Sequence, residues 1–163
     1  MIRNFAHISN ISFTRIQRLS KNVIAMEFKR VKYLKTFDLQ PFILSIMDNY
    51  SPVLKMLLPT YRKKLTRTVY DYLARTYLLM IITMSTQYNH RTVGELAVRL
   101  KKDKAIIKDL FTGQLSAKEI DEGCKYIAIM EAIFRDDPMG ITQLMYPLSV
   151  KLDEDFNDNC IVS

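Results

Sequence analysis

The sequence predicts an all-α protein, built as an antiparallel helical bundle, and three observations support this prediction. Apolar residues recur at helical spacing along most of the chain, two capping boxes mark helix starts, and only four glycines interrupt the 163 residues. No convincing alternation of apolar and polar residues, the mark of a half-buried β-strand, is present. The sequence therefore predicts one all-α domain, or one piece of a longer helical rod.

Three consecutive helices between residues 59 and 134 are the best-defined elements. Pro59 suits the first turn of a helix, and the other two helices begin at the capping boxes of residues 92–95 and 116–119. The face of the first helix that we expect in the core comprises Tyr61, Leu65, Val69, Tyr72, Leu73, Met80 and Met84. The corresponding residues of the second helix are Leu96, Leu100, Ile107, Leu110 and Phe111. Those of the third helix are Ile120, Cys124, Ile127, Met130 and Phe134.

A short connection joins the last two of these helices. It contains Gly113, which suits the left-handed conformation that commonly ends a helix. A connection of this length favours antiparallel neighbours in a bundle.

The flanking segments contribute further predicted helices. The spacing predicts a basic amphipathic helix over residues 12–35, with an apolar face of Ile16, Leu19, Val23 and Met26 that can extend to Leu34. Asp38 caps a helix that carries Phe42, Ile43, Ile46, Met47 and Tyr50, with Pro52 kinking or ending it. Asp137 and Pro138 open a short helix through Leu144 and Met145. We divide the chain into a basic N-terminal segment (1–36), a helical bundle (37–152) and an acidic flexible tail (153–163).

Charge is distributed unevenly along the chain. Residues 1–36 contain eight Lys or Arg and one Glu, a net +7, whereas residues 116–163 contain four Lys or Arg and ten Asp or Glu, a net −6. A basic front suits anionic lipid or an acidic partner, and the alternative is a solvated helix face. Nucleic acid is not an expected partner because no nucleic-acid-binding motif accompanies the charge. The candidate contacts to an anionic surface are Lys29, Arg30, Lys32 and Lys35.

The pattern of polar residues predicts a non-enzymatic protein without a metal or cofactor. His7 and His90 are the only histidines, and neither has metal-ligand spacing to a cysteine or carboxylate. No glycine-rich phosphate loop is present. Asp103 and Asp109 lie among lysines, which predicts an exposed face of ion pairs and not an acid–base pair.

The two ends of the chain carry competing targeting signals. Residues 1–26 contain no acid and include Arg3, Arg15 and Arg18, traits of a mitochondrial transit peptide. The alternative is a basic amphipathic helix that docks on a neighbouring bundle or an anionic membrane surface. The sequence Cys160-Ile161-Val162-Ser163 matches a farnesylation motif, for which the alternative is a chance ending on an acidic tail.

Four landmarks support a family resemblance. The first is Ile-Met-Asp-Asn-Tyr at 46–50 followed by Pro-Thr-Tyr at 59–61, and the second is a long helix over 65–84 with Tyr-Leu at 72–73. The third is Arg-Leu-Lys-Lys-Asp at 99–103 followed by the apolar and charged run 106–111. The fourth is Asp-Asp-Pro at 136–138 followed by Leu144 and Met145. With these landmarks, the segment from Asp48 to Met145 resembles the C-terminal region of the exocyst subunit of the Sec-six type (exocyst complex component three).

This resemblance implies a stack of helical bundles that forms part of an elongated tethering-complex rod. Proteins of the family hold partner subunits, and in some members SNARE proteins, near the site of exocytosis, and they have no catalytic residues to transfer. The implied location is cytoplasmic, peripheral at the plasma membrane or secretory vesicles; a transit peptide would make it mitochondrial. The chain has the length of only the last part of such a subunit, and residues 1–35 do not match. The alternative function is a basic peripheral-membrane adaptor that binds anionic lipid.

Overall fold

A computed structural model describes residues 2–32, 36–85 and 93–136, with side chains described for residues 13–32, 36–84 and 95–136. It contains six helices: α1 (Ile2–Lys29), α2 (Leu39–Met56), α3 (Pro59–Ser85), α4 (Val93–Phe111), α5 (Ala117–Gly123) and α6 (Lys125–Asp136). No β-strand occurs within these ranges, apart from one isolated bridge between Thr112 and Leu115. The predicted all-α bundle is therefore confirmed.

The first two helices are antiparallel. The Tyr50 hydroxyl of α2 donates a 2.8 Å hydrogen bond to the backbone carbonyl of Ser20 in α1. Eight residues further along α1, the Phe28 ring lies 4.6 Å from the Phe42 ring, which is eight residues earlier in α2. A step of eight residues forward in α1 thus corresponds to a step of eight residues back in α2, so the two helices are antiparallel.

Helix α3 runs parallel to α1 and antiparallel to α4. The Phe13 ring lies 4.9 Å from the Tyr61 ring, near the beginning of α3. At the other side of α3, the Tyr70 ring lies 4.9 Å from the ring of Phe111, the last residue of α4. Helix α3 packs against α1, α2, α4, α5 and α6 and is the central helix of the bundle.

This central position explains why α3 is apolar around much of its circumference. A helix surrounded by neighbours does not need a single apolar stripe. The predicted face omitted Tyr70 and Tyr77, which are fully buried, and included Tyr72, which is half-buried beneath the Lys21 ammonium. The buried residues of α3 are Leu65, Thr66, Val69, Tyr70, Leu73, Ala74, Tyr77, Leu78, Met80, Ile81 and Ile82.

The apolar face identified in the sequence of α1 is mostly exposed. Of the residues assigned to it, Leu19, Val23 and Met26 are 52%, 40% and 56% exposed, and Leu34 lies outside the described residues. Among residues 13–29, the residues of α1 that lie in the core are Phe13, Ser20, Ile24 and Phe28. Two apolar faces adjoin each other on this helix, and the face with the larger aromatic side chains is the one buried against the bundle.

The limits of α1 and α2 also differ from the prediction. Helix α1 begins at Ile2 and ends at Lys29, whereas the predicted segment covered residues 12–35. Asp38 caps α2 as predicted, accepting a 3.2 Å hydrogen bond from the Gln40 amide. Pro52 does not end α2, which continues to Met56.

The segment after the second capping box is two helices and not one. Ser116 and Glu119 form the predicted reciprocal pair, at 3.3 Å to the Glu119 amide and 2.9 Å to the Ser116 amide. The two helices meet at Cys124, whose backbone has φ of −88° and ψ of 1°. The Cys124 amide still donates to the Ile120 carbonyl at 3.1 Å, and the Tyr70 hydroxyl donates to the same carbonyl.

Gly113 has the left-handed conformation that the sequence predicted, with φ of +85°. It follows the end of α4, and the amides of Gln114 and Leu115 both donate to the Phe111 carbonyl at 3.1 Å. The first capping residue, Thr92, and the helix predicted from Asp137 lie outside the described residues.

Candidate interaction surfaces

A buried polar cluster joins α3, α4 and the residues that precede α2. The Tyr77 hydroxyl donates a 2.6 Å hydrogen bond to Oδ2 of Asp103, and Arg99 Nε donates to the same oxygen at 3.1 Å. A terminal nitrogen of Arg99 donates to the Phe37 carbonyl. Burial and the nearby charge of Asp103 raise the pKa of Tyr77, which therefore stays protonated as a donor.

The exposed ion-paired face predicted for Asp103 is therefore wrong. Asp103 is 4% exposed, because Tyr77 reaches it from the neighbouring helix and Arg99 covers it from one turn away. Asp109, by contrast, is exposed. A buried carboxylate with these partners links helices, and it stabilises the bundle as a unit.

A second buried pair is formed by Tyr70 and Cys124. The Tyr70 oxygen lies 3.1 Å from the Cys124 sulfur, and both side chains are almost fully buried. Burial raises the pKa of the Cys124 thiol. A protonated, buried thiol behaves as a small apolar side chain, so Cys124 contributes packing and not reactivity.

Ion pairs neutralise the carboxylates at the α4, α5 and α6 side of the bundle. Lys104 pairs with Glu131, and Lys108 pairs with Asp121 at 2.6 Å. Three carboxylates, those of Asp71, Glu119 and Glu122, surround Arg67 within 3.8 Å. These five carboxylates thus have cationic partners within the bundle.

The α1 outer face, as we define it, consists of Leu19, Val23 and Met26 together with Arg15, Arg18, Lys29 and Arg30. At 100° per residue the three apolar side chains form one stripe. Arg15, Arg18 and Lys29 project along one border of that stripe. Arg30 lies in line with the stripe, at its C-terminal end. The sequence contained the signal for this surface, because the stripe belongs to the apolar face that helical spacing indicated.

The residues predicted to contact an anionic surface lie around the end of α1. Lys29, Arg30 and Lys32 are exposed, and Arg30 pairs with Glu27 at 2.7 Å. Lys35 lies outside the described residues, as does the predicted lipidation residue, Cys160. Lys55 is exposed near the end of α2, and the antiparallel register places it roughly 20 Å along the helix axes from Lys29. Lys55 therefore does not belong to the group of cations at the end of α1.

A second surface, the α2–α3 corner, is formed by the two apolar residues Met56 and Leu58. Their side chains are 87% and 68% exposed, the first and third most exposed of the large apolar residues described. Arg62 fixes the corner, since its Nε donates to the Leu54 carbonyl at 2.9 Å and a terminal nitrogen donates to the Leu57 carbonyl at 3.3 Å. The Met-Leu-Leu run before Pro59 was the available sequence signal.

A cleft of about 290 Å³ adjoins the α2–α3 corner. It combines apolar residues of α2 with two basic side chains, one carboxylate, one hydroxyl and an amide from the turn after α4. Its lining residues are Met47, Asp48, Ser51, Leu54, Lys55, Arg62 and Gln114. An open cleft of this composition next to exposed apolar side chains fits a polypeptide segment better than a small molecule.

Within residues 2–32, 36–85 and 93–136, no group of three or more His, Cys, Asp or Glu side chains is arranged so that it could hold a metal ion. None of the helices described there is both long and apolar enough to cross a bilayer. The fold and its surfaces define the class of protein as an all-α helical bundle with two exposed apolar surfaces. Comparisons with protein-family models, curated proteins and solved structures returned no match to this chain.

Proposed function

We propose that this chain is a non-enzymatic subunit of a vesicle-tethering complex of the exocyst type, which acts in exocytosis by binding partner subunits. The resemblance of residues 48–145 to the exocyst subunit of the Sec-six type supports the choice of complex. The α2–α3 corner supports binding to a protein, and it lies within the segment that carries the resemblance. It is the single structural observation on which the proposal depends.

The α2–α3 corner has the properties of a binding anchor. Met56 and Leu58 already project into solvent, so a partner can cover them without unfolding any part of the bundle. Arg62 holds one carbonyl in the last turn of α2 and one in the connection, which reduces the conformational entropy lost when a partner binds. A few apolar anchors next to a cleft commonly supply most of the binding energy of an interface.

The proposed partners are other subunits of the tethering complex and, as in some members of the family, SNARE proteins. An amphipathic helix of such a partner would rest its apolar side on Met56 and Leu58 and extend into the adjoining cleft. The proposed location is the cytoplasm, at the periphery of the plasma membrane or of secretory vesicles.

Affinity purification of the full chain from its own cells tests this proposal. The tag belongs at the N-terminus so that the Cys160 end remains free. Recovery of tethering subunits and SNARE proteins is quantified for the wild type, for Met56→Asp with Leu58→Asp, and for the control Val98→Asp. Val98 is 71% exposed on α4 and lies outside the corner.

We expect tethering subunits with the wild type and with the control, and a loss of about 30-fold or more with the double variant, as for an interface anchor. Absence of tethering subunits from the wild-type sample would contradict the exocyst assignment. Equal recovery with the double variant would contradict the role of the α2–α3 corner. Another surface of the chain would then have to bind the tethering subunits.

A further inference from the structure

Helix α1 has two apolar faces, and the bundle uses one of them. Phe13, Ile24 and Phe28 are at most 5% exposed, whereas Leu19, Val23 and Met26 on the adjoining face are 40–56% exposed. Three large apolar side chains on successive turns are more than the scattered apolar residues that a soluble surface normally contains. The outer stripe therefore lacks a partner among the residues that the structure describes.

Cations surround this stripe without carboxylate partners. Some cations on another side of the bundle, namely Lys104, Lys108 and Arg67, are instead neutralised by carboxylates of neighbouring helices. Among the described residues, by contrast, no carboxylate pairs with Arg15 or Arg18. The same holds for Lys29 and Lys32. The single acid of residues 13–32 is Glu27, which pairs with Arg30. The outer side of α1 therefore carries an uncompensated positive charge.

We propose that the α1 outer face binds the surface of an anionic phospholipid bilayer. Leu19, Val23 and Met26 enter the boundary between headgroups and acyl chains, while Arg15, Arg18 and Lys29 contact lipid phosphates and carboxylates. The face extends over roughly 22 Å from residue 15 to residue 30, so α1 would lie flat on the membrane with the bundle above it. This inference does not depend on the identity of the protein partners.

The dimensions of the face favour a bilayer over an acidic partner helix. A stable protein interface covers roughly 800 Å² on each partner, with a closely packed apolar centre. The stripe has three apolar side chains in a single row, bordered by long flexible cations. A bilayer accommodates such a row because headgroups rearrange around it and the apolar stems of Lys and Arg can extend along the interface.

Vesicle binding tests the inference with the full chain carrying Cys160→Ser, so that no prenyl group contributes. The vesicles contain phosphatidylcholine alone or phosphatidylcholine with phosphatidylserine, and binding is measured by flotation. One variant, R15Q/R18Q/K29Q, removes three cations of the face. The matched control, K101Q/K102Q/K118Q, removes three exposed cations from α4 and α5.

The wild type and the control should bind the vesicles with phosphatidylserine and not those without it. The R15Q/R18Q/K29Q variant should bind about a hundredfold more weakly, because each basic residue near an anionic surface contributes about fivefold. Equal losses in both variants would overturn the proposal, since overall charge and not this face would then direct binding. Absence of any preference for phosphatidylserine vesicles would overturn it as well.

A single tryptophan gives a second measurement, because the chain contains none. In the same Cys160→Ser chain, V23W should show a blue-shifted emission with phosphatidylserine vesicles and quenching by brominated lipid. V98W, on the exposed side of α4, should show neither change. A V23W emission that shifts with a soluble polyglutamate peptide but not with vesicles would overturn the proposal in favour of an acidic protein partner.

Discussion

The ring of Tyr70 occupies the space next to Gly123 in which any other residue would have its β-carbon. A β-carbon built at Gly123 would lie 2.0 Å from Cε1 of Tyr70, far inside van der Waals contact. The same tyrosine donates to the Ile120 carbonyl at the interruption between α5 and α6. Close approach of the central helix to α5 thus requires glycine at position 123.

Gly123→Ala should destabilise the bundle by about 1–3 kcal/mol, because the Tyr70 ring must move and lose contacts in a packed core. The midpoint and slope of urea unfolding measure this change. Lys118→Ala, at an exposed position of the same helix, should stay within about 0.5 kcal/mol of the wild type. An unchanged midpoint for Gly123→Ala would contradict the packing of Tyr70 described above.

Asp103→Asn should lower the free energy of unfolding by about 1–3 kcal/mol, since Arg99 and Tyr77 lose a charged acceptor in a buried site. Asp109→Asn is the matched control on the exposed side of the same helix, with an expected change within about 0.5 kcal/mol. Thermal or urea unfolding of the two variants distinguishes them. Similar small effects at both positions would restore the exposed ion-paired face predicted from sequence.

Ile24→Ala and Val23→Ala test the orientation of α1 through neighbouring residues. Ile24 is fully buried, so its truncation should cost about 2–5 kcal/mol through lost burial and the cavity that remains. Val23 is 40% exposed, and its truncation should change stability by about 0.5 kcal/mol or less. The reverse order of the two effects would show that α1 buries the stripe instead.

Cys160 provides a prediction about targeting, and it lies outside the described residues. Farnesylation requires the C-terminal Cys-Ile-Val-Ser sequence in the cytosol, whereas a transit peptide would lead the chain into mitochondria. Intact-mass measurement of protein from its own cells distinguishes these hypotheses. If a farnesyl group is present at Cys160, then Cys160→Ser should lower the membrane-bound fraction while the fold is kept. An unmodified Cys160 with a full-length N-terminus would contradict both targeting hypotheses. Loss of about the first 20–30 residues would instead support the transit peptide.

Several elements of the fold were predictable because their signals are local. The α3 start at Pro59, the Ser116–Glu119 capping box and the left-handed Gly113 each depend on interactions within one turn. Most of the predicted core between residues 65 and 134 is also buried, since helical spacing indicates which residues share a face. Exceptions such as Leu110 are half-buried at the edge of that face.

The surfaces were less predictable because exposure depends on what the rest of the chain covers. The apolar stripe of α1 was visible in the sequence, but spacing alone left open whether it packs against a neighbouring bundle or faces a membrane surface. The α2–α3 corner was visible only as an apolar run before Pro59. Neither pattern contains information about which helix, if any, lies against it.

The sequence by itself determined the helical class, the caps and the spacing of the core, because these follow from contacts between residues a few positions apart. Only the tertiary structure decided that α1 buries its Phe13 and Phe28 face, that Asp103 lies inside, and that Tyr70 donates to the Ile120 carbonyl of α5. Each of these outcomes depends on a partner at least 14 residues away, as in the 26-residue separation of Tyr77 and Asp103. Helical periodicity records how residues are arranged on one helix, and packing between helices selects which face is buried.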